Sequence, residues 1–178
     1  HYALEDLEEA GNYTMAHLWE LFCTHLGIMV DCIKKGYDRH YEVMQKGMPE
    51  IVLNLFMHGP LERGLNCANG GGDILGLNID GIALATTADS FAAIEQRVVQ
   101  EGKLTWERLF ALLHTNYEGA ERERLMLKNI RRYGSPQSPA EAWAVRIRDH
   151  YVKICRQTPT PKHHLPIVPG MFSHGDVY

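Results

Sequence analysis

Leu75-Gly76-Leu77-Asn78-Ile79-Asp80-Gly81-Ile82-Ala83-Leu84-Ala85-Thr86 alternates through its first half and is apolar on both faces at its end. That is the pattern of a strand buried inside a sheet. It follows Asn66-Cys67-Ala68-Asn69-Gly70-Gly71-Gly72, a loop by composition. It hands over to a helix in which Thr87 or Asp89 is the expected cap, with Phe91, Ile94 and Val98 on the inner face. A strand buried on both faces needs neighbours, and the sequence offers at most one more, the extended run Leu165–Val168. Backbone groups on such strands stay unpaired unless other segments join them. The fold expected is α/β, mostly helical with one or two strands, and structurally incomplete.

Working outward, Leu18, Phe22, Leu26, Met29, Ile33 and Tyr37 recur at steps of three and four. They predict one stripe of a long amphipathic helix with Thr14 as N-cap. Gly27 and Gly36 weaken it and mark places for a kink. Met48-Pro49 is a boundary, Ile51 to Met57 a short helix, and His58-Gly59-Pro60 a turn. Beyond the central strand, Thr105 is expected to cap a helix carrying Leu109, Leu112 and Leu113, and another runs through Leu125 and Leu127. Ser138-Pro139-Ala140-Glu141 has the residues of a capping box, serine at the cap, proline at the first turn and glutamate at the third position. Trp143, Ile147, Tyr151 and Ile154 then mark a buried stripe that ends at Thr158-Pro159-Thr160-Pro161.

The 178 residues are 45% apolar and 22% charged, with a net charge of −4. This is ordinary for a globular domain and gives no footing for nucleic acid or an anionic membrane. No uninterrupted apolar run reaches the ~18 residues of a membrane span, and no secretion signal is visible. Cys23, Cys32, Cys67 and Cys155 are too scattered for a zinc pattern. Cys23 and Cys32 lie in an apolar helical run, so buried reduced thiols and a reducing cytoplasm are expected. His163-His164 are adjacent, and His17 and His25 are not at i, i+4 spacing, so no metal site is expected. Gly70-Gly71-Gly72 precedes a strand and is not followed by Gly-Lys-Ser/Thr, which excludes a recognisable phosphate loop. No Ser-His-Asp or Cys-His signature occurs.

The order of several short segments carries a resemblance. Ala85-Thr86-Thr87-Ala88-Asp89-Ser90-Phe91-Ala92-Ala93-Ile94 is followed by Thr115-Asn116-Tyr117-Glu118-Gly119, Leu125-Met126-Leu127-Lys128-Asn129 and Arg132-Tyr133-Gly134. Trp19-Glu20-Leu21-Phe22, Leu61-Glu62-Arg63-Gly64, Gly81-Ile82-Ala83-Leu84-Ala85 and Pro169-Gly170-Met171-Phe172-Ser173 stand in matching order. Together they resemble the glycyl radical enzymes, the pyruvate formate-lyase and diol-dehydratase group. The resemblance implies an internal portion of a ten-stranded α/β barrel, residues 1–178 being a segment without that family's cysteine loop and glycyl radical domain. Neither the Gly-Cys-x-Glu-like nor the Arg-Val-x-Gly-Tyr-like pattern occurs here, and the sequence starts at His1. The expectation is therefore a piece of a glycyl radical lyase, a dehydratase, decarboxylase or C–C/C–N lyase of small organic substrates, inactive by itself.

The family's radical is installed by an activating enzyme that uses S-adenosylmethionine and an iron–sulfur cluster. The implied partners are that activase, the remaining segments of the parent enzyme, a small-molecule substrate and a second parent subunit. No catalytic or metal-binding residue is expected in this chain. The substrate-pocket candidates are Asn78 and Asp80, on one strand face, and Phe172 and His174, where the family's pocket-bordering strand commonly has Tyr or Thr nearby. Asn78 and Asp80 either contact substrate in the barrel lumen or bond loop backbone at a strand end. Phe172 either stacks on substrate or fills core, and His174 offers a proton donor or acceptor near neutral pH. These two departures argue for a substrate bulkier or more acidic than glycerol. The other reading of the chain is a free-standing helical interaction module.

Overall fold

The computed structural model describes residues 2–47, 50–73 and 75–171. In order, its elements are α1 (Tyr2–Ala10), α2 (Met15–Gly47), α3 (Ile51–Asn54), α4 (Pro60–Arg63), a 3₁₀ turn (Cys67–Asn69), β1 (Leu77–Gly81), α5 (Leu84–Ile94), a π-helical turn (Glu95–Gln100), α6 (Trp106–His114), α7 (Glu121–Lys128), α8 (Pro139–Gln157) and β2 (Ile167–Met171). The described residues form two units, 2–26 with 82–151, and 27–81 with 152–171. Helices α2 and α8 contribute residues to both.

The first unit is a helical core. Leu7, Leu18, Phe91, Leu109, Leu112 and Trp143, from α1, α2, α5, α6 and α8, are buried together. Phe91 stacks on Trp143 with ring centroids 4.6 Å apart, and Trp19 meets Phe91 edge-on at 6.0 Å. Such pairs add to the burial of their large apolar area. The Arg146 guanidinium lies 4.1 Å from the Trp19 ring centroid, a cation–π contact. Buried Arg97 reaches from the π-helical turn to the carbonyls of Met126 (3.2 Å) and Asn129 at the end of α7. Those carbonyls have no partner inside their own helix. Glu101 then holds Arg97 in place at 2.6 Å.

The expected caps divide into two groups. Thr14 accepts the His17 N–H at 3.1 Å and Thr105 accepts the Arg108 N–H at 3.2 Å, as their sequences predict. Ser138 accepts the Ala140 N–H at 3.1 Å, but the capping box does not close. The Glu141 carboxylate takes the Gly134 N–H at 2.8 Å instead, because the incoming turn puts that donor within its reach.

The strand expected over Leu75–Thr86 is shorter than its pattern. It ends at Gly81, and Ala83 turns the chain at φ 67° into α5. Neither Thr87 nor Asp89 caps that helix. Thr87 bonds back to the Ala83 carbonyl at 2.9 Å, and Asp89 accepts the Tyr133 N–H at 2.7 Å. Leu84, Ala85 and Thr86 are thus helix, their apolar run matching either period.

In the second unit, α2 passes through Gly27 and Gly36 without a break, but the predicted stripe does not stay inside. Met29 and Ile33 are exposed, and Val30, Lys34 and Asp38 are buried in their place. Cys32 is also exposed, contrary to the expectation of a buried thiol, and Cys23 is half-buried. Cys67 and Cys155 are buried, and none of the four forms a disulfide. Ile51, Val52, Leu55 and Phe56 around α3 are exposed as well. Among the described residues no helix is long and apolar enough to cross a membrane.

Candidate functional site

Strand β1 and strand β2 pair in parallel, with Leu77 opposite Ile167, Asn78 opposite Val168, Ile79 opposite Pro169 and Asp80 opposite Gly170. The two predicted strands therefore satisfy each other on one edge. Side chains alternate across a strand, so each face has its own chemistry. Ile79 and Ile167, only 4% and 7% exposed, make one face apolar and buried. Asn78 and Asp80 stand on the other face and are exposed.

These two residues act on each other. The Asn78 side-chain amide donates from Nδ2 to Asp80 Oδ1 at 2.7 Å, leaving the second Asp80 oxygen and the amide carbonyl for an incoming group. Among the described residues, neither side chain is hydrogen-bonded to loop backbone. Gly170 completes the geometry. A Cβ added there would collide with Asp80 Oδ1 and come within 3.3 Å of Asn78 Nδ2, so only glycine lets the carboxylate lie across the neighbouring strand.

Tyr37, read from sequence as one more member of the apolar stripe, has a polar role. Its hydroxyl donates to the backbone carbonyl of Asn78. Burial, and then the negative charge of Asp80, push the phenol above its ordinary pKa. It is therefore protonated, and a donor, at neutral pH. The sequence signal available for Tyr37 was the phenol itself, a polar tip at the end of an otherwise apolar row. Gly170 was quoted as motif, yet its requirement becomes visible only with the strand register. Phe172 and His174 lie outside the described residues.

A cleft of about 340 Å3 lies in the first unit, lined by Ile94, Leu109, Leu113, Tyr117, Asp89 and Arg124 among others. It contains none of the candidates, and two of its charged groups are already engaged. Asp89 holds the Tyr133 N–H, and Arg124 makes two 2.6 Å bonds to Glu121. The described sequence candidates, Asn78 and Asp80, lie on β1 and not in this cleft. Among the described residues no group of His, Cys, Asp or Glu could hold a metal ion.

A parallel strand pair with one buried and one polar face, among many helices, agrees with the comparisons. The family model described as pyruvate formate lyase-like matches residues 3–174. The chain belongs to that family, the glycyl radical enzymes. It is 26% identical over 144 residues to trans-4-hydroxy-L-proline dehydratase of Clostridioides difficile, which covers 80% of this chain and 18% of that enzyme. It is 34% identical over 61 residues to isethionate sulfite-lyase of Desulfovibrio desulfuricans, covering 34% of this chain and 7% of the relative.

Among solved structures, hydroxyproline dehydratase of C. difficile, with trans-4-hydroxy-L-proline bound, superposes at TM-score 0.81 with 24% identity, over 90% of this chain and 20% of that one. The B12-independent glycerol dehydratase of Clostridium butyricum, bound to glycerol, gives TM-score 0.73 with 17% identity, over 88% and 20%. A 1,2-propanediol-dehydrating protein of Roseburia inulinivorans gives 0.79 with 16% identity, over 89% and 21%. The fold is therefore that of glycyl radical enzyme barrel domains, here mostly helical with two parallel strands. The chain spans about a fifth of the length of these solved relatives.

Proposed function

We propose that the 178 residues are an internal segment of a glycyl radical lyase, and that the polar face of β1 and β2 looks into its substrate cavity. The observation that carries this is the two-faced sheet. Ile79 and Ile167 are buried on one side, and Asn78 and Asp80 are bonded to one another on the open side, above a glycine. A cavity that shields a radical intermediate needs dry walls with a few fixed polar groups. The family match over residues 3–174 supports the reaction class.

In this reading the sheet is part of a ten-stranded α/β barrel, and the outer edges of β1 and β2 pair with strands contributed by the rest of the parent enzyme. The exposed apolar residues around α3, Ile51, Val52, Leu55 and Phe56, face those same segments. The glycyl radical, installed by an S-adenosylmethionine-dependent iron–sulfur activase, supplies hydrogen-atom abstraction from residues other than these. This chain's contribution is binding. Asp80 accepts a hydrogen bond from a substrate hydroxyl or ammonium, and the Asn78 side-chain oxygen accepts a second. By itself the segment is inactive. The parent is a cytoplasmic homodimer acting on a small polar substrate, with Phe172 and His174 adding an aromatic wall and a titratable group beyond β2.

The dehydratase relatives favour dehydration of a hydroxylated substrate within the lyase class. A free-standing interaction module is the weaker reading, because it leaves that apolar surface in water. The test is anaerobic activation of the intact protein with an activase, followed by electron paramagnetic resonance and a substrate panel. A glycyl doublet with release of water, or of another small leaving group, is expected. An activated preparation with neither signal nor turnover on hydroxylated amino acids, diols or sulfonates would refute the proposal.

A further inference from the structure

One face of α2 carries polar groups where the apolar periodicity had called for core. Lys34, Asp38 and Glu42 follow at intervals of four, so they lie in a row. Lys34 and Asp38 are 2% and 6% exposed. Burying an ammonium and a carboxylate is costly unless each is fully bonded, and here each is bonded to the connection between α8 and β2. Lys34 Nζ donates to the Ile154 carbonyl at 3.0 Å and to Thr158 Oγ1 at 3.1 Å. It thereby takes one of the carbonyls left unpaired at the end of α8.

Asp38 holds the middle of the connection. Its two oxygens accept the backbone N–H groups of Lys162 at 2.7 Å and His163 at 3.1 Å, and the nearby Thr160 hydroxyl favours its charged form. Thr160 is fully buried, and its hydroxyl oxygen accepts the Leu165 N–H at 3.1 Å. Glu42 closes the row, bonding Lys162 Nζ at 2.5 Å and lying 3.3 Å from the His163 ring nitrogen. One residue after Leu165, the Pro166 carbonyl accepts the Leu77 N–H at 3.1 Å and begins the β1–β2 ladder.

We infer that Asp38 and Thr160 are positioning residues that set the register of β2 against β1. A shift of one residue would exchange the two faces of β2. Gly170 would leave its place beside Asp80, and the room for the carboxylate would close. Neither residue touches substrate, and their effect passes through the strand. The kinetic consequence rests on the proposed function, whereas the register itself does not.

The experiment uses the intact protein with Thr160→Val, which keeps the side-chain shape and removes the hydroxyl, and Thr160→Ser, which restores it. Asp38→Asn is the second variant, because it puts an amide N–H against one of the two donors. Amide hydrogen exchange is read at Lys162, His163, Leu165 and throughout both strands. The inference expects at least tenfold faster exchange in the 162–165 turn and in β1 and β2 for Thr160→Val and Asp38→Asn, with Thr160→Ser restored. It also expects about tenfold higher KM with an undiminished radical signal. Faster exchange confined to the turn, with both strands unchanged, overturns it, as does unchanged exchange everywhere. If the wild-type protein forms no radical, the proposed function falls, and the exchange data alone decide the register.

Discussion

At the residue scale, the account rests on Asp80 and the groups that aim it. Asn78 fixes one carboxylate oxygen, Gly170 clears the space, and Tyr37 ties the strand carbonyl between them. Removing the Tyr37 hydroxyl leaves the Asn78 carbonyl without that donor, at a cost of about 1 kcal/mol. Tyr37→Phe is therefore expected to lower the melting temperature by a few degrees, measured by thermal unfolding, with catalysis reduced less than in any Asp80 variant. That Asn78 and Asp80 share one strand face was legible from the alternation of one strand. Tyr37 and Gly170 were not, because a phenol in an apolar stripe and a glycine after a proline take on meaning only from what lies across the sheet.

At the element scale, caps at Thr14 and Thr105 were legible because they are local chemistry. The boundary between β1 and α5 was not. Leu84-Ala85-Thr86 suits a strand or a helix equally, and the positive φ of Ala83 decides between them. The buried face of α2 was also hidden, since Lys34 and Asp38 are paid for by carbonyls and amides more than 100 positions away in sequence. Two sets of glycines give opposite predictions. A Cβ at Gly27 or Gly36 meets nothing within 4 Å, so Gly27→Ala and Gly36→Ala should each stabilise by about 0.5–1 kcal/mol, read from denaturant unfolding. Gly170→Ala should destabilise and displace Asp80, seen as lost protection of β1 in hydrogen exchange.

At the scale of the whole molecule, acid should weaken the second unit. Burial pushes the Asp38 carboxyl up, but the hydrogen bonds from Thr160, Lys162 and His163 outweigh it and hold it below its ordinary 3.8. Bonds from Lys162 and His163 hold Glu42 below its ordinary 4.5. The unfolded chain therefore takes up these protons at higher pH than the folded one does. The stability they contribute is complete above about pH 5 and is lost as pH falls through the depressed values. Stability measured from pH 6 down to pH 3 should fall, and Asp38→Asn should flatten that fall. An isolated 178-residue chain should also self-associate in sedimentation, through the exposed apolar residues around α3. Family membership was legible in ordered short motifs, and the scarcity of strands in the patterning.

The central claim, that Asp80 faces the substrate of a radical lyase, is tested most directly by activating the intact protein as wild type and as Asp80→Asn. The account predicts glycyl doublets of equal intensity and a drop of about 10- to 100-fold in kcat/KM for the variant, the loss of one charge-assisted hydrogen bond. Equal turnover by the two proteins, with equal doublets, would contradict it.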